Sequence, residues 1–126
     1  MITEDYVSFE TAKFLKEKGF DEKCYCHYSS DGRTQYWNYQ TPSDGISCPT
    51  LQMAMKWLRK IHRLHIEVVP NPFNFEHQDI QDGWGCEVTH LSDLSYDSNY
   101  AFFQKKYSTY EEACEAAVKY CLENLI

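Results

Sequence analysis

Apolar and polar positions along this chain recur in two rhythms, one near four residues and one of two, and their order lays out the elements. The first helical run opens at Ser8, a predicted N-cap, with Glu10 in the first turn and Gly19 as terminator. Phe9, Ala12, Phe14 or Leu15 supply its buried side, and Val7 is placed to staple against Ala12. Alternation then takes over at residues 24–28 and 34–39. The SSDGR segment between them carries an Asp-Gly turn signal, so a hairpin is predicted. Residues 40–47, with Pro42 and Gly45, read as a loop.

A second helix is predicted within residues 48–65, CPTLQMAMKWLRKIHRLH, with Pro49 in its first turn. Leu51, Ala54, Met55, Leu58 and Ile61 form one apolar stripe, and Lys56, Arg59, Lys60 and Arg63 recur at the same spacing on another side. A β-branched run follows at 65–69 and stops at Pro70. Residues 70–83, rich in Pro, Asn, Asp and Gln, read as a long irregular segment, mobile or functional. Two further strands are predicted at 84–90 and 100–107. The chain then enters a last helix through a Ser108–Glu111 capping box, with Tyr110, Ala113, Cys114, Ala117, Cys121 and Leu122 at helical spacing. The residues 6–12 and 107–113 echo one another, which we read as one capping solution reached twice.

The predicted order is α-β-β-α-β-β-β-α over a single domain, residues 1–126. Short strands joined by hairpin turns imply an α+β fold, an antiparallel sheet of about five strands with the three helices gathered on one face.

Composition changes this picture in two places. Ten Tyr, seven Phe and three Trp are too many for one core, so some must line a surface or an interface. The net charge of −7 is uneven: residues 1–63 carry nine Lys and Arg against eight Asp and Glu, and residues 64–126 carry three against eleven. Such a protein is repelled by nucleic acid at long range, so the basic stripe must act locally. No run approaches the roughly 20 apolar residues that span a bilayer. The opening MITEDYVSFE lacks the basic-then-apolar layout of a secretory signal. A cytoplasmic protein without membrane association is expected, its six cysteines reduced.

Candidate chemistry is sparse. Cys24 and Cys26 share one side of one strand and Cys86 and His90 one face of another, and these four could converge on zinc if the strands were neighbours. No CxxC pair exists, however, and buried structural thiols are the preferred reading, with no metal and no cofactor. Cys48, near a helix N-terminus, is the thiol whose pKa the helix dipole would lower. There is no GxSxG, P-loop, GxGxxG or HExxH, and the paired carboxylates Asp79/Asp82 and Glu111/Glu112 specify no reaction. The expectation is a protein other than an enzyme.

Lys56, Arg59, Lys60 and Arg63, joined by Trp57 and by His62 or His65, combine cations with stackable rings. They suit a protein partner, a second copy of the chain or, as an alternative, a nucleic-acid backbone. Against these stands a plain solvated face whose cations offset the helix dipole. On the hairpin, Tyr36, Trp37 and Tyr39 are the second candidate contact surface.

The phrases ITEDYVSFETAKFLKEKGF, CPTLQMAMKWLRKIH and YSTYEEACEAAVKYCLENLI resemble a family of small proteins of Bacteroides-like gut bacteria, with relatives in prophage and mobile elements. The resemblance covers the three helices and implies a cytosolic accessory protein of phage origin. The family brings no assigned activity, so no catalytic or binding residue follows from it.

Overall fold

Ser8 starts the first helix in the way its side chain favours. In the computed structural model, which describes residues 1–37, 44–71, 73–74, 77–80, 82–93, 99–101 and 106–126, Ser8 Oγ accepts from the Thr11 N–H at 3.2 Å. Helix α1 runs Phe9–Glu17. Its end is equally local: Gly19 takes φ +95°. The Phe20 N–H donates to Leu15 O at 2.9 Å and the Gly19 N–H to Lys16 O at 3.1 Å, the paired bonds of a Schellman motif. Thr11, Ala12 and Leu15 are its buried side, with Phe9 and Phe14 partly buried against the core.

Strands β1 (Cys26–Tyr28) and β2 (Gln35–Trp37) form the expected hairpin, with Cys26 opposite Trp37. Asp31 Oδ1 accepts from Ser29 Oγ at 2.7 Å and from the Arg33 N–H at 3.0 Å, which fixes the turn. Inside the stretch read as loop, β3 (Ile46–Ser47) pairs with the other side of β1. Two residues are too few to show a period.

Helix α2 runs Leu51–Ile61 with Thr50 as N-cap, its side chain accepting from the Met53 N–H at 3.1 Å. Pro49 therefore precedes the cap instead of occupying the first turn. Its carbonyl accepts from the Val7 N–H at 3.0 Å, and Asp5 O accepts from the Leu51 N–H at 2.9 Å. The segment before α1 is thus strapped across the start of α2. At the other end His62 closes the helix and Arg63 takes φ +58°. A left-handed conformation costs a residue with a Cβ roughly 1–2 kcal/mol. Here it turns the chain sharply into β4 (Leu64–Pro70).

The long polar segment holds a small ribbon, β5 (Phe73–Asn74) against β6 (Asp79–Ile80). Beyond it β7 (Trp84–His90) pairs with the whole of β4, from Leu64 opposite His90 to Pro70 opposite Trp84. Strand β8 (Asn99–Ala101) lies on the far side of β7. Tyr107, at the end of the predicted last strand, makes an isolated bridge to Trp84. Leu64, Ile66, Cys86 and Val88 are buried on one face of this sheet, and α2 packs against β4 there.

Helix α3 runs Tyr110–Tyr120. Its cap is Thr109, which accepts from the Glu112 N–H at 3.1 Å, while Glu112 Oε2 accepts from the Ser108 N–H at 3.2 Å. The box lies one residue beyond Ser108–Glu111, because Tyr107 is still held by Trp84 and Thr109 is still extended. The helix packs on both β4 and β7 and ends in a π turn, Cys121–Leu125.

The architecture is α+β and antiparallel with three helices, as expected. Among the described residues the strands fall into two three-stranded sheets, β2-β1-β3 and β4-β7-β8, plus the ribbon, rather than one sheet. Helix α2 intervenes between the two groups, and each group closes on strands from its own stretch of chain. One core joins them, with Val7, Leu15, Leu58, Leu64, Val88 and Val118 all at most 1% exposed. Helices α1 and α3 are clasped together. Glu115 Oε1 accepts from the Ser8 N–H at 3.0 Å and the Thr11 hydroxyl at 2.7 Å, and Lys119 Nζ lies 2.9 Å from Glu10 Oε2.

Candidate docking surface on the second helix

The inner side of α2 is settled by its apolar spacing. Leu51, Ala54, Met55 and Leu58 are buried as predicted. Ile61 is not: it is 59% exposed, and Trp57, grouped from sequence with the cations, is buried at 6%. Phe20, delivered by the turn after α1, packs edge-on against the Trp57 ring at 5.4 Å, and His62 packs on it at 4.7 Å. Burial lowers the His62 pKa. The Trp57 ring therefore belongs largely to the core and is closed to stacking on a nucleobase.

The outer side of α2 borders a cleft of about 290 Å³, lined by Glu22, Lys23, Met53, Lys56, Trp57, Lys60 and Ile61. Lys56 and Lys60 stand one turn apart on one helix face. Like charges at that spacing cost a helix roughly 0.2–0.5 kcal/mol. Lys60 lies in the last turn, where the dipole offsets that cost, but Lys56 is mid-helix and has no such compensation. Lys23 joins them from the other wall. Among the described residues none of these three lysines is in an ion pair. Met53 and Ile61 add exposed apolar surface, and Cys24 Sγ meets Met53 Sδ at 3.8 Å to hold the second wall in place.

The four-cation stripe is thereby divided. Arg59 is half-buried and does not line the cleft. Arg63 lies beyond the end of α2, and its Nε donates to Ser92 Oγ at 3.4 Å. Lys23, Glu22 and Met53 were missed from sequence, because only the fold brings the segment after Gly19 alongside α2.

Family models, characterised proteins and solved structures were all compared with the chain, and none matches.

The hairpin aromatics form a separate surface. Tyr36 and Trp37 are 40% and 47% exposed, and neither lines the α2 cleft. Trp37 packs edge-on against Tyr6 at 5.1 Å and lies 6.4 Å from Tyr25. Tyr39 lies outside the described residues.

All six cysteines are free and buried. Cys24 and Cys26 belong to the first sheet's side of the molecule and Cys86 to β7, so the proposed zinc set of Cys24, Cys26, Cys86 and His90 does not converge. Among the described residues no group of three or more potential ligands is placed to hold a metal ion. The lowered thiol pKa expected at Cys48 is overturned. Cys48 lies two residues outside the cap of α2, is wholly buried, and shares the Val7 carbonyl with the Tyr28 hydroxyl, at 3.4 and 2.9 Å. Burial and the neighbouring Cys26 push its pKa up. A protonated thiol with no solvent access is a packing group. Among the described residues no helix is long and apolar enough to cross a membrane.

Proposed function

We propose that this protein is a small interaction module that binds a protein partner through the outer face of α2. The observation that carries this reading is the cleft in which Lys23, Lys56 and Lys60, without ion pairs among the described residues, border the exposed side chains of Met53 and Ile61. Cations beside apolar surface suit a protein carrying carboxylates next to an aliphatic or aromatic anchor. The nucleic-acid alternative is less well supported, since Trp57 is buried and Arg63 is turned towards Ser92. Tyr36 and Trp37 are a second, separate contact surface on the same module. The family resemblance of the three helices would make it a cytosolic accessory protein of phage origin.

Affinity capture from the native host tests the reading, comparing wild type, a Lys56→Glu, Lys60→Glu pair and a control Lys13→Glu, Lys16→Glu pair on α1. A partner retained by wild type and control but lost by the α2 pair supports it. Capture unaffected by the α2 pair refutes it. Duplex binding whose affinity falls steeply with salt and is lost in the α2 pair would favour the nucleic-acid alternative instead.

A further inference from the structure

We infer that the surface received by the α2 cleft is the acidic face of a second copy of this chain, an inference that rests on reading the cleft as a protein-docking surface. Two further clefts lie near the start of α2. One, of about 550 Å³, includes Asp5, Tyr6, Tyr28, Tyr107 and Glu111 in its lining. The other, of about 300 Å³, includes Ile2, Glu4, Asp5, Gln52, Tyr110 and Glu111. They share Asp5, Leu51 and Glu111, so they make one continuous face, and among the described residues neither lining contains a Lys or Arg.

Some of that acidity is already engaged. Glu112 caps the start of α3 and Glu115 clasps α1. Glu4, Asp5 and Glu111 are exposed and outside any ion pair among the described residues. Ile2, fully exposed, stands beside them. The two surfaces are therefore of opposite net charge. Three lysines against one carboxylate, Glu22, stand around Met53 and Ile61 on one, and three carboxylates outside any ion pair among the described residues stand beside Ile2 on the other.

Adjacency sets the symmetry. Leu51 and Gln52 line the acidic face and Met53 and Lys56 the basic one, so the two patches abut along one helix. Two copies can then meet reciprocally about a two-fold axis, the basic patch of each on the acidic patch of the other. Both contacts form at once, which doubles the buried area in one closed dimer. The net charge of −7 opposes approach at long range. At about 0.1 M salt the Debye length is only about 10 Å, so distant repulsion is damped while contact pairs still attract.

Sedimentation velocity between about 10 and 300 µM protein, in about 0.1 M and about 0.5 M salt, tests this. Wild type is expected to shift to a dimer and stop there, and to return towards monomer at the higher salt. Lys56→Glu, Lys60→Glu on the basic patch and Glu4→Lys, Asp5→Lys on the acidic patch should each give a monomer. Equimolar mixing of the two variants should restore a dimer, because each retains what the other has lost. Lys23→Glu, off the helix, should weaken the dimer without altering α2, and circular dichroism confirms that each variant is folded. A wild type monomeric throughout, a double variant that still dimerises, a Lys23→Glu dimer as tight as wild type, or a mixture that stays monomeric overturns the inference, and growth beyond a dimer overturns the two-fold arrangement. A monomeric wild type whose Lys56→Glu, Lys60→Glu variant still loses a different captured protein would leave the docking reading standing without self-association.

Discussion

Replacing Glu115 tests how the two terminal helices are held together. One carboxylate oxygen accepts from the Ser8 N–H at 3.0 Å and the Thr11 hydroxyl at 2.7 Å, and Thr11 is wholly buried. Hydrogen bonds to charged groups contribute about 1.5–3 kcal/mol each. These two share an oxygen, and the Thr11 hydroxyl oxygen also accepts from Ser8 Oγ at 3.1 Å, so they do not add in full. The carboxylate also faces the N-terminus of α1, a favourable placement by roughly 0.3–1 kcal/mol. Glu115→Ala should therefore destabilise the fold by about 2–3 kcal/mol, which for a domain of this size lowers Tm by roughly 8–12 °C. Glu115→Gln keeps the shape and an acceptor oxygen and removes the charge, so its cost should be about 1 kcal/mol. Urea titrations followed by circular dichroism at neutral pH should show a lower midpoint at unchanged slope. An Ala variant costing less than about 0.5 kcal/mol, or a Gln variant as damaging as Ala, would refute this account of the clasp.

Three further outcomes are expected. Burial holds Cys24, Cys86 and Cys114 up to about 11 and Cys121 up to about 12, against an ordinary thiol value of 9.0. The folded chain keeps protons that the unfolded chain releases, so this stabilisation is full below pH 9.0 and is lost as pH rises towards the folded values. The urea midpoint should fall above about pH 9, and a midpoint that stays flat to about pH 10.5 contradicts the argument. Arg63→Gly relieves a left-handed strain of roughly 1–2 kcal/mol against a glycine entropy cost of 0.5–1, so a gain of about 0.5–1 kcal/mol is expected with cleft binding unchanged. A less stable variant by calorimetry would show that the bond to Ser92 outweighs the strain. At Gly32, with φ +75°, an added Cβ would fall 2.5 Å from the Phe9 ring. Gly32→Ala should cost about 2 kcal/mol or more in a thermal melt, and a neutral result would mean the turn relaxes freely.

The strongest signals in the sequence were local ones that no neighbour could overrule. Ser8 as cap, Gly19 as stop, the Asp-Gly hairpin and the 84–90 strand all stand where the residues put them. Pro49 and Ser108 misplaced two helix starts because each is followed by a threonine equally able to cap, and pairing of the preceding chain chose between them. Strands β3, β5 and β6 have two residues each and carry no periodicity. At the candidate site, spacing correctly put Lys56 and Lys60 together. It could not reveal that α2 would stop at Ile61, because the left-handed residue after its cap is Arg63 and not the glycine that normally announces an end. Lys23 and the covering of Trp57 by Phe20 both follow from the turn after α1, a tertiary placement that no periodicity within α2 encodes.

The clasp between Ser8 and Glu115 joins residues 107 positions apart, whereas each sheet is assembled within its own stretch of chain. Closing so long a loop must be met entropically before its bonds contribute. The nested hairpins are therefore expected to be formed at the folding barrier, with α1 docking onto α3 after it. In a chevron, Glu115→Ala should then speed escape from the native state at unchanged limb slopes and leave the refolding limb almost untouched, while changes in the β4–β7 ladder slow refolding. On this view the clasp governs the lifetime of the folded protein and contributes little to how quickly it is reached.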